Sequence, residues 1–352
     1  MIKAKVVGAG GYGGVGIVEF LLGHPGVEIS GLAASADVGI AMSDLWPHLK
    51  GFCDLPILSY EDPRAKEPAD VVFFSTPAGV GMKFAAAEMK NGAKIVDFSG
   101  DFRFNDLATY REYGRRAGKE FEHTAPELLA DTVYGLAELG NPRLRAGAQL
   151  VGNAGCFAVS ALLGLAPAAK HDLIDPRRVI CDCKTAISGA GKKPSATYHY
   201  PARYENMNAY KLAGHQHVCE VEQELQRLSG REYRIVFTAQ VVPLCRGIMS
   251  CLYGELRPGI TLAAVTEAYR AFHGAHPFVR LYDRKATVGT IHVRGSNYCN
   301  LVVDVDERTS TLRVVSYIDN LVKGQAGNAL QNMNILFGFP EKTGLDRPGQ
   351  NP

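Results

Sequence analysis

The sequence predicts a doubly wound α/β domain followed by an α+β domain with a mainly antiparallel sheet. Short apolar strands alternate with helices in the first half, and long β-rich stretches dominate the second half. The length of 352 residues is about twice the usual size of one domain. A hydrophobic content of 46% and a charged content of 21% are typical of globular proteins. Two hydrophobic cores are therefore expected.

The first half follows a strand and helix alternation. The apolar spacing predicts strands over residues 4–7, 27–33, 70–75 and 94–98, with helices over 15–22 and 80–90. Strands of this kind are buried on both faces when helices separate them, which is typical of a parallel sheet.

The second half has a different rhythm. Alternating or β-rich runs predict strands over residues 234–242, 248–256, 300–305 and 311–317. Helical spacing is found over 157–169, 217–228 and 261–272, and again in the tail over 321–337. This mixture favours an α+β domain.

Charge and hydropathy exclude several classes of partner. The formal net charge is +2, and no run of Lys and Arg exceeds two residues, so we expect neither nucleic acid nor membrane as a partner. The N-terminus lacks a signal-peptide pattern, and no apolar run approaches the ~20 residues that span a bilayer. We therefore expect a cytoplasmic protein whose eight cysteines are thiols rather than disulfides.

A glycine-rich turn lies between the first strand and the first helix. It comprises Gly8, Gly10, Gly11, Tyr12, Gly13 and Gly14. Such glycines allow a tight turn and let backbone N–H groups reach a pyrophosphate, which indicates a Rossmann dinucleotide-binding domain. Ser35 ends the second strand where a ribose 2′-phosphate is bound, and Asp37 lies slightly beyond that position, so NADP(H) is favoured. Ser75 and Pro77 follow the third strand and are expected beside the cofactor.

Cys156 is the candidate nucleophile among the cysteines. It comes directly after Asn153-Ala154-Gly155 and before an apolar helix, so it occupies a helix start. N–H groups and the helix dipole there stabilise a thiolate. The same N–H groups, together with Asn153, are candidate oxyanion donors. The cysteines at 181, 183, 245, 251 and 299 fall in strand-like runs, where a thiol is usually a small core residue.

The stretch around His217 supplies a candidate acid/base. His217 and Glu220 are three residues apart on a predicted helix, so the carboxylate can orient the imidazole. A metal site of His215, His217, Cys219 and Glu220 is the competing interpretation, but residues two apart on a helix face different directions, and we predict no metal. A plain pair of surface histidines also remains open.

These elements together resemble N-acetyl-gamma-glutamyl-phosphate reductases. The resemblance covers nearly the whole chain and rests on the glycine turn, the Asn-x-Gly-Cys element and the His-x-His-x-x-Glu element in this order. Further matching stretches are residues 97–103, 134–139, 188–191, 242–247, 295–299 and 318–324.

The resemblance implies the two-domain fold of aspartate semialdehyde dehydrogenase. Residues 1–152 and 323–352 would form the NADP-binding Rossmann domain, and 153–322 the catalytic and oligomerisation domain of a homodimer or homotetramer. The implied reaction is NADPH-dependent reduction of N-acetylglutamyl 5-phosphate to the semialdehyde in arginine biosynthesis, with Cys156 as nucleophile and His217 as acid/base. Further residues are expected at the cofactor (Ser188, Gly189, Asn332) or at the substrate (Ser99, Arg103, His215).

Some positions depart from the family pattern. Ala154 stands where the family has proline, and Ala137, Phe157, Gln325 and the pair Ala239-Gln240 also differ. The Ala239-Gln240 pair is expected to alter the substrate pocket. Alternatives are therefore a related acyl phosphate such as a carrier-bound aminoadipyl phosphate, oxidation of a different aldehyde, or a nucleotide-sensing protein without turnover.

Overall fold

The computed structural model describes residues 1–119 and 122–351, which form two compact units. The first unit comprises Met1–Gly114, Lys119–Ala154 and Gln325–Asp346. The second comprises Arg115–Gly118, Gly155–Gly324 and the described residues from Arg347 onward.

The first unit is a seven-stranded sheet with helices between its strands. Its strands are β1 (Ile2–Val7), β2 (Val27–Ala33), β3 (Ile57–Leu58), β4 (Val71–Phe74), β5 (Lys94–Asp97), β6 (Val133–Gly135) and β7 (Leu150–Asn153). Its helices in chain order are α1 (Tyr12–Leu22), α2 (Met42–Leu45), α3 (Ala85–Lys90), α4 (Leu107–Ala117) and α5 (Pro142–Arg145), and a further helix of the unit follows at the C-terminal end of the chain.

All strand pairs of this sheet are parallel, in the order β3-β2-β1-β4-β5-β7-β6. The chain leaves β1 towards β2 on one side and later continues with β4 on the other. Ligands of open α/β sheets bind at such a switch point, outside the carboxyl ends of the strands. The doubly wound α/β prediction is therefore confirmed, and the glycine turn follows β1 at the switch point.

The helix predicted over residues 80–90 is shorter in the structure. A 3-10 turn at Gly81–Lys83 precedes α3, and Gly81 packs against the Asp97 carboxylate, since a Cβ at Gly81 would lie 2.8 Å from Asp97 Oδ1. The two-residue strand β3 and the three-residue strand β6 were not predicted, because so short a strand leaves no periodic pattern.

The second unit contains a second seven-stranded sheet. Its strands are β8 (Ile174–Thr185), β9 (Asn208–Tyr210), β10 (Ile235–Val241), β11 (Ile248–Leu256), β12 (Val279–Tyr282), β13 (Cys299–Asp306) and β14 (Thr311–Ile318). Its helices are α6 (Cys156–Lys170), α7 (Tyr200–Arg203), α8 (His217–Ser229) and α9 (Leu262–His273). Beyond it, a π-helical turn at Val322–Ala326 leads into α10 (Gly327–Leu336), which belongs to the first unit.

This second sheet has the strand order β12-β13-β14-β11-β8-β10-β9. Its pairs are antiparallel except for β8 with β10 and β12 with β13. The prediction of an α+β domain with a mainly antiparallel sheet is confirmed. The long central strand β8 makes the sheet mixed, because it runs parallel to one neighbour and antiparallel to the other.

Helix α6 forms the centre of the second core. Its residues 157–169 are buried all round, as expected for a helix enclosed by other elements. Ser160 Oγ on this helix lies 2.8 Å from Ser250 Oγ and 3.1 Å from Ser316 Oγ, so its buried hydroxyl can donate to one of them and accept from the other. Helix α6 packs closely on Leu252 at Gly164, because a Cβ there would overlap Leu252 Cδ1 and force that side chain to move.

Pro167 interrupts the hydrogen bonding of α6. A proline has no N–H for the carbonyl four residues earlier, which here is that of Leu163. His273 Nε2 donates to the Leu163 carbonyl at 2.9 Å, and the Tyr269 hydroxyl donates to the Gly164 carbonyl at 2.6 Å. Helix α9 therefore supplies the donor that the proline withholds from Leu163, and a further donor to the adjacent carbonyl.

We predict that His273→Leu lowers the free energy of unfolding by about 1–3 kcal/mol, because the buried Leu163 carbonyl loses its donor. Chemical denaturation monitored by circular dichroism measures this change. His276→Leu, in the following turn, is the matched control and should cost much less. Equal losses of stability in the two variants would contradict the inference that His273 replaces the hydrogen bond that Pro167 cannot donate to Leu163.

Among the described residues, no helix combines the length and the hydropathy needed to cross a membrane.

Candidate active site

The glycine turn of the first unit, residues 8–14, forms a backbone cradle in which main-chain atoms pack closely against one another. Gly8 has a φ of 87° and donates to the Ala33 carbonyl at 2.7 Å, and a Cβ at Gly8 would overlap the Ser75 carbonyl. A Cβ at Gly14 would overlap the Gly8 carbonyl and lie 2.6 Å from Ala9 Cα. The turn tolerates only glycine at these two positions, so backbone rather than side chains faces any ligand.

The cradle opens at the start of α1. The helix begins at Tyr12, its N-cap Gly11 provides no side-chain cap, and its first turn carries no acidic residue. The N–H groups of a helix start bind anions, including pyrophosphate. Together with the cradle, these features fit a dinucleotide at residues 8–14.

The structure brings Ser75 to this cradle. A Cβ at Gly13 would overlap Ser75 Oγ and lie 2.7 Å from Gln325 Nε2. Pro77 is exposed two residues further on, and Ser35 is exposed just beyond β2. The Tyr12 ring lies 6.0 Å from the Trp46 ring, centroid to centroid. Asp37, expected slightly beyond the cofactor, instead has its carboxylate against Gly10.

Cys156 is the first residue of α6 and is partly exposed. The preceding residue, Gly155, donates its backbone N–H to Glu220 Oε2 at 2.9 Å. Glu220 is fully buried, and its Oε1 lies 3.7 Å from His217 Nε2. One carboxylate thus contacts both the residue before Cys156 and the imidazole of His217.

Phe157, the residue after Cys156, also contacts this histidine. Its ring lies 6.1 Å from the His217 ring and 5.4 Å from the His215 ring, edge to face in both cases. Both chain neighbours of Cys156 are therefore in contact with the His217–Glu220 pair or its surroundings. The spacing of three residues places His217 and Glu220 together on the first turn of α8.

His215 is buried within an aromatic group. Its ring stacks on Phe237 at 5.2 Å and lies 5.7 Å from the Tyr210 ring. His215 Nδ1 accepts the backbone N–H of His217 at 3.2 Å, which supports the start of α8. Burial, with the neighbouring His217 second, lowers the pKa of His215 to about 2. His215 is therefore a neutral imidazole that holds the backbone of His217.

Asn153 lies in the first unit, at the end of β7. Its Oδ1 accepts from Asn328 Nδ2 at 2.7 Å and from Asn332 Nδ2 at 3.0 Å, and its Nδ2 donates to the Gln325 carbonyl at 3.0 Å. Asn332 also donates to the Gly135 carbonyl at 3.0 Å. The structure places Asn332 with Asn153 and Gly135, rather than at the glycine turn.

Arg103 is 6% exposed, and its guanidinium serves the backbone of the first unit. It donates to the Asn153 carbonyl at 2.8 Å and to the Phe98 carbonyl at 2.6 Å. Ser99 donates to Asp97 Oδ2 at 2.6 Å and accepts the Asp101 N–H at 3.1 Å. Both residues make the local contacts that a structural role requires.

Asp97 and Asp101 form a buried carboxyl pair beside these residues. Burial, and next the charge of Asp101, raises the pKa of Asp97 to about 8. Asp101 accepts the Gly79 N–H at 2.9 Å. Burial and the charge of Asp101 thus both favour the neutral form of the Asp97 carboxyl.

Ser188 and Gly189 lie in a 3-10 turn of the second unit, after β8. Asn320 Nδ2 donates to Ser188 Oγ at 3.0 Å, and Asn320 Oδ1 accepts the Gly247 N–H at 2.8 Å. A Cβ at Gly324 would lie 2.7 Å from Cys156 Cβ, so glycine lets the chain pass the candidate nucleophile. Tyr210 and Phe237 were not singled out by the sequence, whereas Asn320 and Gly324 lie in the matching run 318–324 without a role assigned to either.

The Ala239-Gln240 pair lies on β10. Gln240 Nε2 donates to Asp182 Oδ1 on the neighbouring strand β8, and Ala239 is buried opposite Tyr210 on β9. In the described chain, no cluster of three or more metal-binding side chains is found.

Comparison with known proteins assigns a class to each part of the chain. The family model "Semialdehyde dehydrogenase, NAD binding domain" matches residues 3–146, and "Semialdehyde dehydrogenase, dimerisation domain" matches residues 156–320. The class is thus a nicotinamide-dependent semialdehyde dehydrogenase that forms oligomers.

The chain belongs to the N-acetyl-gamma-glutamyl-phosphate reductase family. It is 41% identical over 354 residues to the N-acetyl-gamma-glutamyl-phosphate reductase of Desulforudis audaxviator, with 100% of both chains covered. It is 40% identical over 348 residues to that of Citrifermentans bemidjiense, with 98% of both chains covered. The resemblance drawn from the sequence is therefore confirmed.

Solved structures support the fold. Aspartate semialdehyde dehydrogenase II from Vibrio cholerae, complexed with ASA, gives a TM-score of 0.72 at 16% identity, covering 96% of this chain and 98% of that one. The aspartate semialdehyde dehydrogenase from Candida albicans with NADP gives 0.70 at 17% identity, covering 96% and 99%.

The burial of His215 predicts a pH effect on stability. An unfolded histidine titrates near pH 6.5, whereas folded His215 stays neutral, so protons bind the unfolded chain as the pH falls below 6.5. This proton uptake by the unfolded chain therefore lowers the free energy of unfolding by up to about 1.4 kcal/mol for each pH unit below 6.5. Urea denaturation of wild type and His215→Gln at pH 7.5 and 5.5 measures it.

The variant should lose less stability between the two pH values than the wild type does. His171→Gln, at an exposed position, is the matched control and should retain the wild-type difference. Identical pH dependence in wild type and His215→Gln would contradict a neutral, buried His215.

Proposed function

We propose that the chain reduces N-acetyl-L-glutamyl 5-phosphate to N-acetyl-L-glutamate 5-semialdehyde and phosphate, with NADPH as hydride donor, in arginine biosynthesis. The single observation that carries the catalytic assignment is the Glu220 carboxylate, which contacts both Gly155 and His217 around Cys156. The names of the full-length relatives support the substrate.

Cys156 begins the reaction as a thiolate. The start of α6 stabilises the negative sulfur through its N–H groups and dipole. The sulfur attacks the carbonyl carbon of the acyl phosphate, the bond from that carbon to the phosphate oxygen breaks, and a thioester on Cys156 remains. Phosphate is a good leaving group, so this step chiefly requires an activated thiolate and a positioned substrate.

Oxyanion stabilisation falls to the backbone of α6. The Gly155 N–H is bonded to Glu220, and the Asn153 amide N–H group is bonded to the Gln325 carbonyl. We therefore assign the oxyanion to the N–H groups of Cys156 and Phe157 at the helix start. In our proposal Asn153 does not bind the oxyanion; it has a supporting role through its hydrogen bonds within the first unit.

When bound at the glycine turn, the nicotinamide cofactor supplies the hydride that reduces the thioester carbon. The resulting oxyanion collapses to the aldehyde and the carbon–sulfur bond breaks, while His217 donates its proton to the departing sulfur of Cys156. Glu220 fixes the His217 ring and stabilises its protonated form, because the two groups are 3.7 Å apart in a buried setting.

The phosphate-binding residue remains to be assigned. Arg103 and Ser99 were expected to bind the substrate phosphate, and Arg103 now has two carbonyl partners. We keep both residues as candidates, with their effect on activity as the test. The contacts of Ala239 and Gln240 give no reason to propose a different substrate. We therefore propose N-acetyl-L-glutamyl 5-phosphate alone.

We also propose a homodimer or homotetramer in the cytoplasm. The match of residues 156–320 to a dimerisation domain supports self-association, and eight cysteines outside disulfide bonds fit a reducing compartment.

The first test measures phosphate-dependent reduction of NADP⁺ with N-acetylglutamate 5-semialdehyde, the reverse reaction. We expect wild-type turnover and a loss of at least 10³-fold in kcat for Cys156→Ser, because a serine hydroxyl stays un-ionised at neutral pH and is a far poorer nucleophile than the thiolate. Cys245→Ser, at an exposed cysteine, is the matched control and should retain activity. Wild type without turnover would contradict the proposed function.

The second test addresses Glu220. Glu220→Gln keeps an acceptor for the Gly155 N–H but removes the charge beside His217. We expect a kcat loss of about 10²-fold or more, with a changed pH profile and little change in KM. Glu224→Gln, one turn along α8 and bonded to Arg227, is the control that should keep the wild-type profile. A proportional loss in both variants would indicate a structural role only.

A further inference from the structure

In dinucleotide-binding folds of this type, the loop after the second strand lies at the ribose of the ligand. In this chain that loop follows β2 and comprises residues 34–40. In folds of this type an acidic side chain here binds the ribose 2′-hydroxyl of NAD, whereas an arginine accommodates the 2′-phosphate of NADP. The chemistry of this loop therefore sets the choice of cofactor.

Asp37 is the one charged residue of this loop, and it is directed at the glycine turn. A Cβ at Gly10 would lie 2.8 Å from Asp37 Oδ2. The backbone of Asp37 has a φ of 60°, and the loop is fixed by hydrogen bonds from Gly39 N to the Ile57 carbonyl at 2.8 Å and from Ile40 N to the Asp37 carbonyl at 3.3 Å. Asp37 is half-buried, while the other residues from 35 to 40 are exposed.

The loop offers no cation for a phosphate. Residues 34–47 contain neither Lys nor Arg. The next Lys and Arg residues along the described chain form ion pairs: Lys50 with Asp44 at 3.9 Å, Arg64 with Asp62 at 2.8 Å and Lys66 with Glu61 at 3.0 Å. Apart from the Asp37 carboxylate, the exposed side chains of the loop are uncharged: Ser35, Ala36, Val38 and Ile40.

We propose that Asp37 cancels the preference for NADPH, so that the chain binds and uses NADH as well as NADPH. The carboxylate has several acceptor positions, so it can accept a hydrogen bond from a ribose 2′-hydroxyl in addition to the contacts it makes within the protein. The same charge repels a 2′-phosphate. This inference rests on the proposed use of a nicotinamide cofactor at the glycine turn.

Direct binding tests the proposal without turnover. Isothermal titration of the full chain with NAD⁺ and NADP⁺ should give wild-type Kd values within tenfold of each other. Asp37→Ser should shift their ratio at least tenfold towards NADP⁺, because the repulsion is removed and a hydroxyl is introduced. Asp44→Asn, an exposed carboxylate of α2 in the same unit, is the matched control and should leave the ratio unchanged.

Two results would overturn the proposal: a wild-type Kd for NADP⁺ more than tenfold below that for NAD⁺, or a shift below tenfold in Asp37→Ser. Steady-state kcat/KM values for NADH and NADPH should follow the binding ratios. Binding ratios as expected, with no turnover by either cofactor, would refute the proposed reductase function and the use of NADH, but leave the inference that Asp37 sets the binding preference intact.

Discussion

The buried carboxylate of Glu220 is the interaction on which the candidate catalytic group depends. A fully buried carboxylate is unfavourable unless hydrogen bonds and opposite charge compensate for its lost hydration. Here one oxygen accepts the N–H of Gly155, and the other faces His217. The compensation requires the start of α6 and the first turn of α8 to come together. The two contacts that stabilise the buried Glu220 carboxylate thus also place the His217 imidazole beside the segment that carries Cys156.

Local signals in the sequence were sufficient for the parts of the site that lie on one element. The glycine turn is encoded at Gly8 and Gly14, where a side chain would overlap backbone. The start of α6 is encoded by the change from a strand to an apolar run at Cys156, and the pairing of His217 with Glu220 follows from helical spacing. The fold class was predicted from the same kind of evidence, since strands alternating with helices have few arrangements.

Roles that depend on distant contacts could not be predicted. Asn153 was a candidate oxyanion donor, yet its amide is hydrogen-bonded to residues more than 170 positions away in the sequence. Arg103 was a candidate phosphate ligand, yet it donates to two backbone carbonyls. Polar residue types that often bind substrates are also those that satisfy buried backbone groups, and the sequence alone does not separate the two uses. Asp37 shows the opposite. The sequence analysis placed it slightly beyond the expected cofactor position, whereas in the structure its carboxylate lies beside Gly10 of the glycine turn.

His215 and His217 are both buried, but their surroundings differ. His215, with a pKa lowered to about 2 and its Nδ1 occupied by the His217 N–H, cannot take up a proton in the range where an enzyme works. His217 instead has the Glu220 carboxylate beside it, with 3.7 Å between Nε2 and Oε1. In our proposal, His217 is therefore the histidine that exchanges protons with the substrate. The aromatic group around His215 and the bond from the His217 N–H to His215 Nδ1 fix the backbone from which His217 projects.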